Sequence, residues 1–370
     1  MAAHDIVVIG ASAGGVEAIS AVVASLPADL PAAVFVVLHV SRGRSVLPEI
    51  LTRVGPLPAV HPDDGTAIQH GRIYVARPDH HLTIERGRVR MLHGPTENGS
   101  RPAVDPLFRS AARTYGSRVV GVVLTGALDD GTAGLAAVKE AGGITIVQDP
   151  AEAFASSMPR SAAAFVPIDY TLKVAEIGAR LTALARSGAD RLATEEAASL
   201  SAPELAPERL GPHVVAMEPD AGRPPLALSE GDRPGKVSVF TCPECHGTLW
   251  EAEERGLVRY RCRVGHIYSP ESMLAAQTDS VDRALWIALR SLEERAALTH
   301  RLAARARTRN NLWVAKTFDE RALAADGHAA TVRDLLVNRM SHHEAGEPVP
   351  DLVENAQAAE MPKADTKKSE

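Results

Sequence analysis

Ile6-Val7-Val8-Ile9-Gly10-Ala11-Ser12-Ala13-Gly14-Gly15-Val16-Glu17-Ala18 is the stretch whose reading decides the fold. An apolar run rich in β-branched residues breaks at Gly10, a small-residue turn follows, and apolar positions recur with helical spacing from Val16 to Leu26. This is strand, tight turn and helix, with Ser12 at the apex. Gly10-x-Ser12-x-Gly14 fits a nucleophile elbow, where glycines let a strained turn present a serine hydroxyl at the carboxyl end of a strand. It also fits a loose dinucleotide loop, in which pyrophosphate meets a helix N-terminus. A dinucleotide site asks for an acidic residue at the end of the second strand. The second apolar run, Ala33 to Leu38, instead ends in His39, whose imidazole can take a proton from a serine. The nucleophile reading is favoured, with the nucleotide loop and a purely structural turn as alternatives.

At 370 residues the chain exceeds one typical domain and suggests two or three units. Hydrophobic residues make up 45 % and aromatic ones only 4 %, which points to an α/β core packed from small side chains. A formal charge of −6 gives no basic footprint, so no nucleic-acid partner is expected. No apolar run approaches the roughly 20 residues that span a bilayer, and the first residues lack a signal-peptide pattern. The expectation is a cytoplasmic protein without membrane insertion. The three cysteines all fall between 242 and 262, a bunching that suits a metal better than a disulfide framework.

From residue 5 to about 186, strand-like and helical runs alternate, as in a doubly wound, mainly parallel sheet with helices on both faces. Strands are expected at 5–10, 33–39, 72–76, 82–85, 119–125 and 143–148, and helices at 15–26, 46–53, 105–115, 133–141 and 170–186. Asp105 before Pro106 reads as the cap of the third helix. The strand at 119–125 runs into a glycine-rich loop carrying Asp129 and Asp130. Three strand ends thus offer a serine, a histidine and an aspartate. A serine hydroxyl needs a base to accept its proton, and the base needs a third group to fix its tautomer. Each residue also has a plainer reading: Ser12 as a turn hydroxyl, His39 as a strand-end hydrogen-bonding group, Asp129 or Asp130 as the cap of the next helix. The chain order Ser, His, Asp differs from that of the α/β-hydrolases, so membership of that fold does not follow.

Ile9 to Ala18, Leu38 to Gly43, Gly71 to His81, Arg101-Pro-Ala-Val-Asp-Pro-Leu-Phe108, Gly121 to Gly126, Asp130-Gly131 and Ser157 to Ala162 occur in this order. Together they resemble the catalytic domain of the chemotaxis-type protein-glutamate methylesterases, over about half of the chain. The resemblance implies Ser12 as nucleophile, His39 as general base and acid, and Asp130, which directly precedes Gly131, as the orienting carboxylate. It implies a ping-pong hydrolysis of methyl esters on glutamate side chains of chemoreceptors, in some relatives with deamidation of receptor glutamine, and no cofactor for catalysis. Its partners would be methylated chemoreceptor cytoplasmic helices and a separate response regulator or methyltransferase. Ala13 and Ala127 stand where the family often has Thr and Met; their backbone amides still serve as oxyanion-hole candidates, because an amide does not depend on its side chain. With the first strand starting at residue 5, no receiver domain is expected ahead of the catalytic domain.

Residues 187–235, rich in Pro, Glu, Ala and Gly, read as a linker with a short helix near 190–200. Cys242-x2-Cys245 and Cys262-x3-His266 then form two knuckles of four ligands suited to structural zinc, with His246 a weaker rival to His266. Between them, two strands turning near Gly256 give a zinc-ribbon-like module over 236–270. Amphipathic helices at 270–305 and 311–340 pair as a hairpin about Asn310-Asn311. Leu285, Ile287, Leu289, Leu292, Leu298 and Leu302 set the apolar face of the first helix, and Trp313, Val314, Phe318, Leu323, Val332, Leu335 and Leu336 that of the second. Arg301, Arg305, Arg307 and Arg309 make a solvated basic face that would also suit an acidic receptor helix. The tail at 342–370 reads as disordered. A noncatalytic scaffold or adaptor in a sensory complex is the competing function.

Overall fold

The computed structural model describes residues 4–40, 43–199 and 235–344. In chain order the first elements are β1 (Ile6–Ala11), α1 (Gly15–Ala24), β2 (Ala33–Leu38), α2 (Leu47–Val54), β3 (Ala59–Val60), β4 (Arg72–Val75), β5 (His81–Glu85), β6 (Arg88–Leu92) and α3 (Val104–Tyr115). There follow β7 (Val119–Val123), α4 (Thr132–Glu140), β8 (Ile144–Gln148), α5 (Ser157–Phe165), β9 (Tyr170–Leu172) and α6 (Val174–Ser199). The last are β10 (Lys236–Thr241), β11 (Thr248–Glu254), β12 (Leu257–Cys262), β13 (Ile267–Tyr268), α7 (Pro270–Thr308) and α8 (Leu312–Glu344).

Seven parallel strands form the main sheet in the order β3-β4-β2-β1-β7-β8-β9. The chain builds outward from β1 on one side, then returns to β7 on the other. In open α/β sheets such a reversal leaves a crevice at the carboxyl ends of the strands. All six residues of β1 and of β2 are buried, as expected where helices cover both faces. Val7, Ile9 and Ala11 pack toward α1, α2 and α6, while Ile6 and Val8 pack toward α3, α4 and α5. Each fully buried Val or Ile contributes roughly 1.5–3 kcal/mol relative to exposure, so the central strands anchor the layers. At Gly10 a Cβ would lie 2.3 Å from Val104 Cγ1. Glycine there lets the first turn of α3 press against the end of β1.

The structure departs from the sequence expectations in places. Residues 82–85 belong not to the main sheet but to the antiparallel pair β5-β6, which packs on α3. Residues 170–172 form the edge strand β9, with α6 starting only at Val174. The elements β3 and β13, of two residues each, carry too few residues for a period to stand out. Helix α6 continues to Ser199, into the expected linker; residues 200–234, and 345–370 of the expected tail, lie outside the described residues.

The strands β10-β11-β12-β13 form an antiparallel sheet, turning between β11 and β12 at Arg255 and Gly256, with φ of 56° and 73°. Two left-handed residues suit the right-handed twist of a two-residue hairpin. This ribbon shares one compact unit, Met1–Ala276, with the α/β sheet; the second unit begins at Gln277, inside α7.

In the second unit, Glu293, His300 and Arg307 of α7 pair with Arg333, Asp326 and Asp319 of α8. Steps of seven residues in opposite directions define an antiparallel, heptad-registered hairpin. Its seam matches the expected one in part: Leu285, Leu289, Leu292, Val332 and Leu336 pack together with Ala329. Leu289 and Leu336 are buried, but so are Ala296, Ala303, Ala315, Ala322 and Ala329, while Ile287, Leu298, Trp313, Leu323 and Leu335 are exposed. Alanines thus share the seam, and several of the larger residues are turned outward. Among the described residues, no helix is long and apolar enough to cross a membrane.

Candidate active site and metal cluster

Ser12 follows the last residue of β1 and His39 the last residue of β2; Ala11 and Leu38 are partners in register, so the two side chains leave neighbouring strands at the same level. The His39 amide donates to Ala11 O at 3.1 Å, and the Ser12 amide to Thr125 O at 2.9 Å. Asp130 comes from the loop after β7, on the other side of β1. His39 Nε2 meets Asp130 Oδ2 at 2.7 Å. An imidazole whose Nε2–H is given to a carboxylate has Nδ1 as its remaining acceptor.

Asp130 is 2 % exposed and held from every side. Val104 N donates to Oδ2 at 2.7 Å, Asp105 N to Oδ1 at 3.2 Å and Asn98 Nδ2 to Oδ1 at 2.9 Å. Burial pushes this carboxyl up, but the His39 hydrogen bond and charge, with the Val104 and Asn98 donors, outweigh it and hold the group well below the usual carboxylate range. The α3 N-terminus, brought in by Gly10, thus supplies two of the donors.

The roles assigned to the neighbouring carboxylates need correction. Asp105 does not cap α3, whose N-cap is Ala103. Its buried Oδ1 accepts from Gly131 N at 3.1 Å and Gly134 N at 2.7 Å, so it caps α4 from a different helix. Neither Asp129 nor Asp130 is a side-chain cap of α4. Asp129 accepts from Ser269 Oγ at 2.7 Å, and burial pushes its carboxyl up to about 7.

Ala13 and Ala127 are both exposed on the loops that flank Ser12, and among the described residues neither amide is taken by another acceptor. Backbone amides without a protein acceptor are the kind of donor that can receive a developing oxyanion. Thr125, absent from the sequence reading, ties these loops together: Oγ1 lies 2.9 Å from Ala13 O and accepts from Ala155 N at 2.8 Å. Beside His39 lies a cleft of about 200 Å³ lined by Val40, Asp79, Thr96, Ser100, Arg101 and Pro102 among others. It is below the roughly 300–1,000 Å³ of small-molecule sites and suits a single side chain better than a metabolite.

Cys242, Cys245, Cys262 and His266 come together, with all four ligand atoms within 4.8 Å of one another. Cys242 Sγ and Cys262 Sγ lie 3.5 and 3.4 Å from His266 Nδ1, and Cys245 Sγ lies 3.5 Å from Cys262 Sγ. A tetrahedral cation with metal–sulfur and metal–nitrogen bonds of about 2.3 and 2.0–2.1 Å sets ligand separations of about 3.5–3.8 Å, so the cluster is the right size. The other imidazole nitrogen, Nε2, faces Glu244 Oε2 at 3.2 Å, the kind of partner that orients a metal-bound histidine. His246 is exposed and is not part of the group.

A parallel sheet that gathers a serine, a histidine and a buried aspartate at its reversal point defines an α/β protein with a site at the carboxyl ends of β1, β2 and β7. Residues 7–181 match the CheB methylesterase family. A relative from Leptospira interrogans, named for protein-glutamate methylesterase and protein-glutamine glutaminase activity, is 37 % identical over 183 residues, covering 48 % of this chain and 95 % of its own length. One from Anaeromyxobacter dehalogenans with a name of the same kind is 40 % identical over 183 residues, 49 % of this chain and 54 % of its own. The crystal structure of the Thermotoga maritima CheB methylesterase catalytic domain is 33 % identical, covering 49 % of this chain and 98 % of that one, with a TM-score of 0.47. The chain belongs to the CheB methylesterase family and is an enzyme of that class.

Proposed function

We propose that this protein hydrolyses methyl esters on glutamate side chains of chemoreceptors by a serine mechanism. The observation that carries the reading is the 2.7 Å contact between His39 Nε2 and buried Asp130, set beside Ser12 at adjacent strand ends. His39 Nδ1 takes the proton of Ser12 Oγ as the oxygen attacks the ester carbonyl carbon, and the Ala13 and Ala127 amides hold the tetrahedral oxyanion. The imidazolium, balanced by Asp130, returns that proton to the departing methoxide as methanol. Water, deprotonated by His39, then attacks the acyl-enzyme, frees the glutamate carboxylate and restores Ser12. The same steps with ammonia as leaving group deamidate receptor glutamine, the second activity in the relatives' names.

The Cys242, Cys245, Cys262 and His266 cluster holds structural zinc, which takes no part in the hydrolysis. The closed set of four protein ligands, with no position left for water, supports a folding role. The protein works in the cytoplasm, where the receptor helices lie. The test is methanol release from methylated receptor, with fluorophosphonate labelling of Ser12: wild type turns over and labels, while Ser12→Ala stays folded and does neither. A folded wild type silent in both assays would return the chain to the scaffold reading.

A further inference from the structure

The ribbon meets the α/β sheet at the segment that holds Asp130. Strand β13 runs beside residues 96–98: the Ile267 amide donates to Thr96 O at 3.3 Å and the Asn98 amide to Ile267 O at 2.8 Å. Asn98, fully inside this junction, divides its side-chain amide between two sets of partners. On one side Nδ2 donates to Asp130 Oδ1 at 2.9 Å and to Asp105 Oδ2 at 3.1 Å. On the other, Oδ1 accepts from Arg259 Nη1 at 3.2 Å and from the Ser269 amide at 3.2 Å. Arg259, 5 % exposed on β12, also pairs with the Asp105 carboxylate.

We propose that Arg259 is a positioning residue for the catalytic aspartate, so that the ribbon completes the active site. The inference rests on the Ser12, His39 and Asp130 mechanism above. Flipping the Asn98 amide would set its NH2 against a guanidinium and an amide N–H, and its oxygen against two carboxylates. Arg259, together with the Ser269 amide, therefore selects the one orientation that gives Asp130 a donor, and its charge balances Asp105, which is 0 % exposed. Without Arg259 only the Ser269 amide and the Ser272 hydroxyl hold Asn98 Oδ1, so the donor to Asp130 Oδ1 and the carboxylate plane that aligns His39 are less constrained. The effect falls on the reaction step and not on binding, because Arg259 is not among the residues lining the cleft beside His39.

In the full chain, Arg259→Met should lower kcat for methanol release by roughly 10–100-fold and slow fluorophosphonate labelling of Ser12 in parallel, with KM within about twofold. Arg259→Lys keeps the charge beside Asp105 but loses the fork that reaches Asn98 as well, and should recover part of the rate. On an Asn98→Ala background, Arg259→Met should add less than about twofold, since both act through one amide. Wild-type kcat in Arg259→Met, a loss confined to KM, or full additivity with Asn98→Ala would each overturn the proposal. Should Arg259→Met not fold, Arg259→Lys decides: reduced kcat at unchanged KM supports it, and wild-type kcat refutes it. A wild type that neither labels nor releases methanol defeats the serine mechanism itself, and the role of Arg259 with it.

Discussion

Replacing Asp130 by asparagine tests the site where its geometry is most demanding. Four donors converge on this carboxylate: His39 Nε2 and Val104 N on Oδ2, Asn98 Nδ2 and Asp105 N on Oδ1. An asparagine keeps one oxygen and turns the other into NH2, so two of the four donors must face a donor in either orientation. With NH2 toward His39, Nε2 has to become an acceptor and the proton moves to Nδ1, the nitrogen Ser12 needs free. With NH2 toward Asn98 and Asp105, two buried donors lose their acceptor at about 1–3 kcal/mol each. The wrong tautomer in a serine triad lowers kcat by about 10⁴, some 5.5 kcal/mol of transition-state stabilisation. Asp129→Asn is the control: its side-chain oxygen can still accept from Ser269 Oγ, and it makes no hydrogen bond to His39. Activity within about threefold of wild type is expected there, since that hydrogen bond is kept and none of the donors to Asp130 is touched. Steady-state methanol release and Ser12 labelling, with thermal melts to confirm folding, give both numbers. Equal losses at positions 129 and 130 would refute the reasoning.

Two further outcomes follow from the surroundings of the site. Burial raises the Asp129 carboxyl from its ordinary 3.8 to about 7, so between those values the folded chain holds a proton that the unfolded chain has released. Its stabilising contribution is full below the unfolded value and is lost as pH rises through about 7; Asp129→Asn should therefore melt higher relative to wild type at pH 8 than at pH 5, and an unchanged gap would contradict the assignment. The Cys/His cluster should carry about one zinc per chain, and a strong chelator should lower the melting temperature; a metal analysis returning none after expression with zinc would overturn the structural-zinc proposal.

Much of the sheet was legible because buried parallel strands are apolar on both faces. The runs 6–11, 33–38 and 119–123 hold no polar residue and lead into Ser12, His39 and a glycine-rich loop. Ser12 and His39 stand out for the same reason, as polar residues at the ends of apolar strands; the loop after the third offers Asp129 and Asp130 alike, and only the resemblance chooses Asp130. Contacts that cross the chain were not legible. Asp105 looked like the cap of its own helix because capping was judged locally, whereas its carboxylate reaches the amides of α4. Asn98 and Arg259 carry no local signal: one lies in a loop, the other between Val258 and Tyr260 on a strand, and only folding brings them together. In the helical hairpin, hydrophobicity points to the large residues, and Leu289, Leu292, Val332 and Leu336 do pack in the seam, but alanines share it while Trp313 and Leu323 stay outside.

The central claim is that Ser12, activated by His39 and Asp130, cleaves a glutamyl methyl ester. Methanol release from methylated receptor, measured with wild type and Ser12→Ala side by side, tests it most directly. Turnover by wild type and none by a folded Ser12→Ala is the predicted result. Equal methanol release by the two proteins would contradict the account.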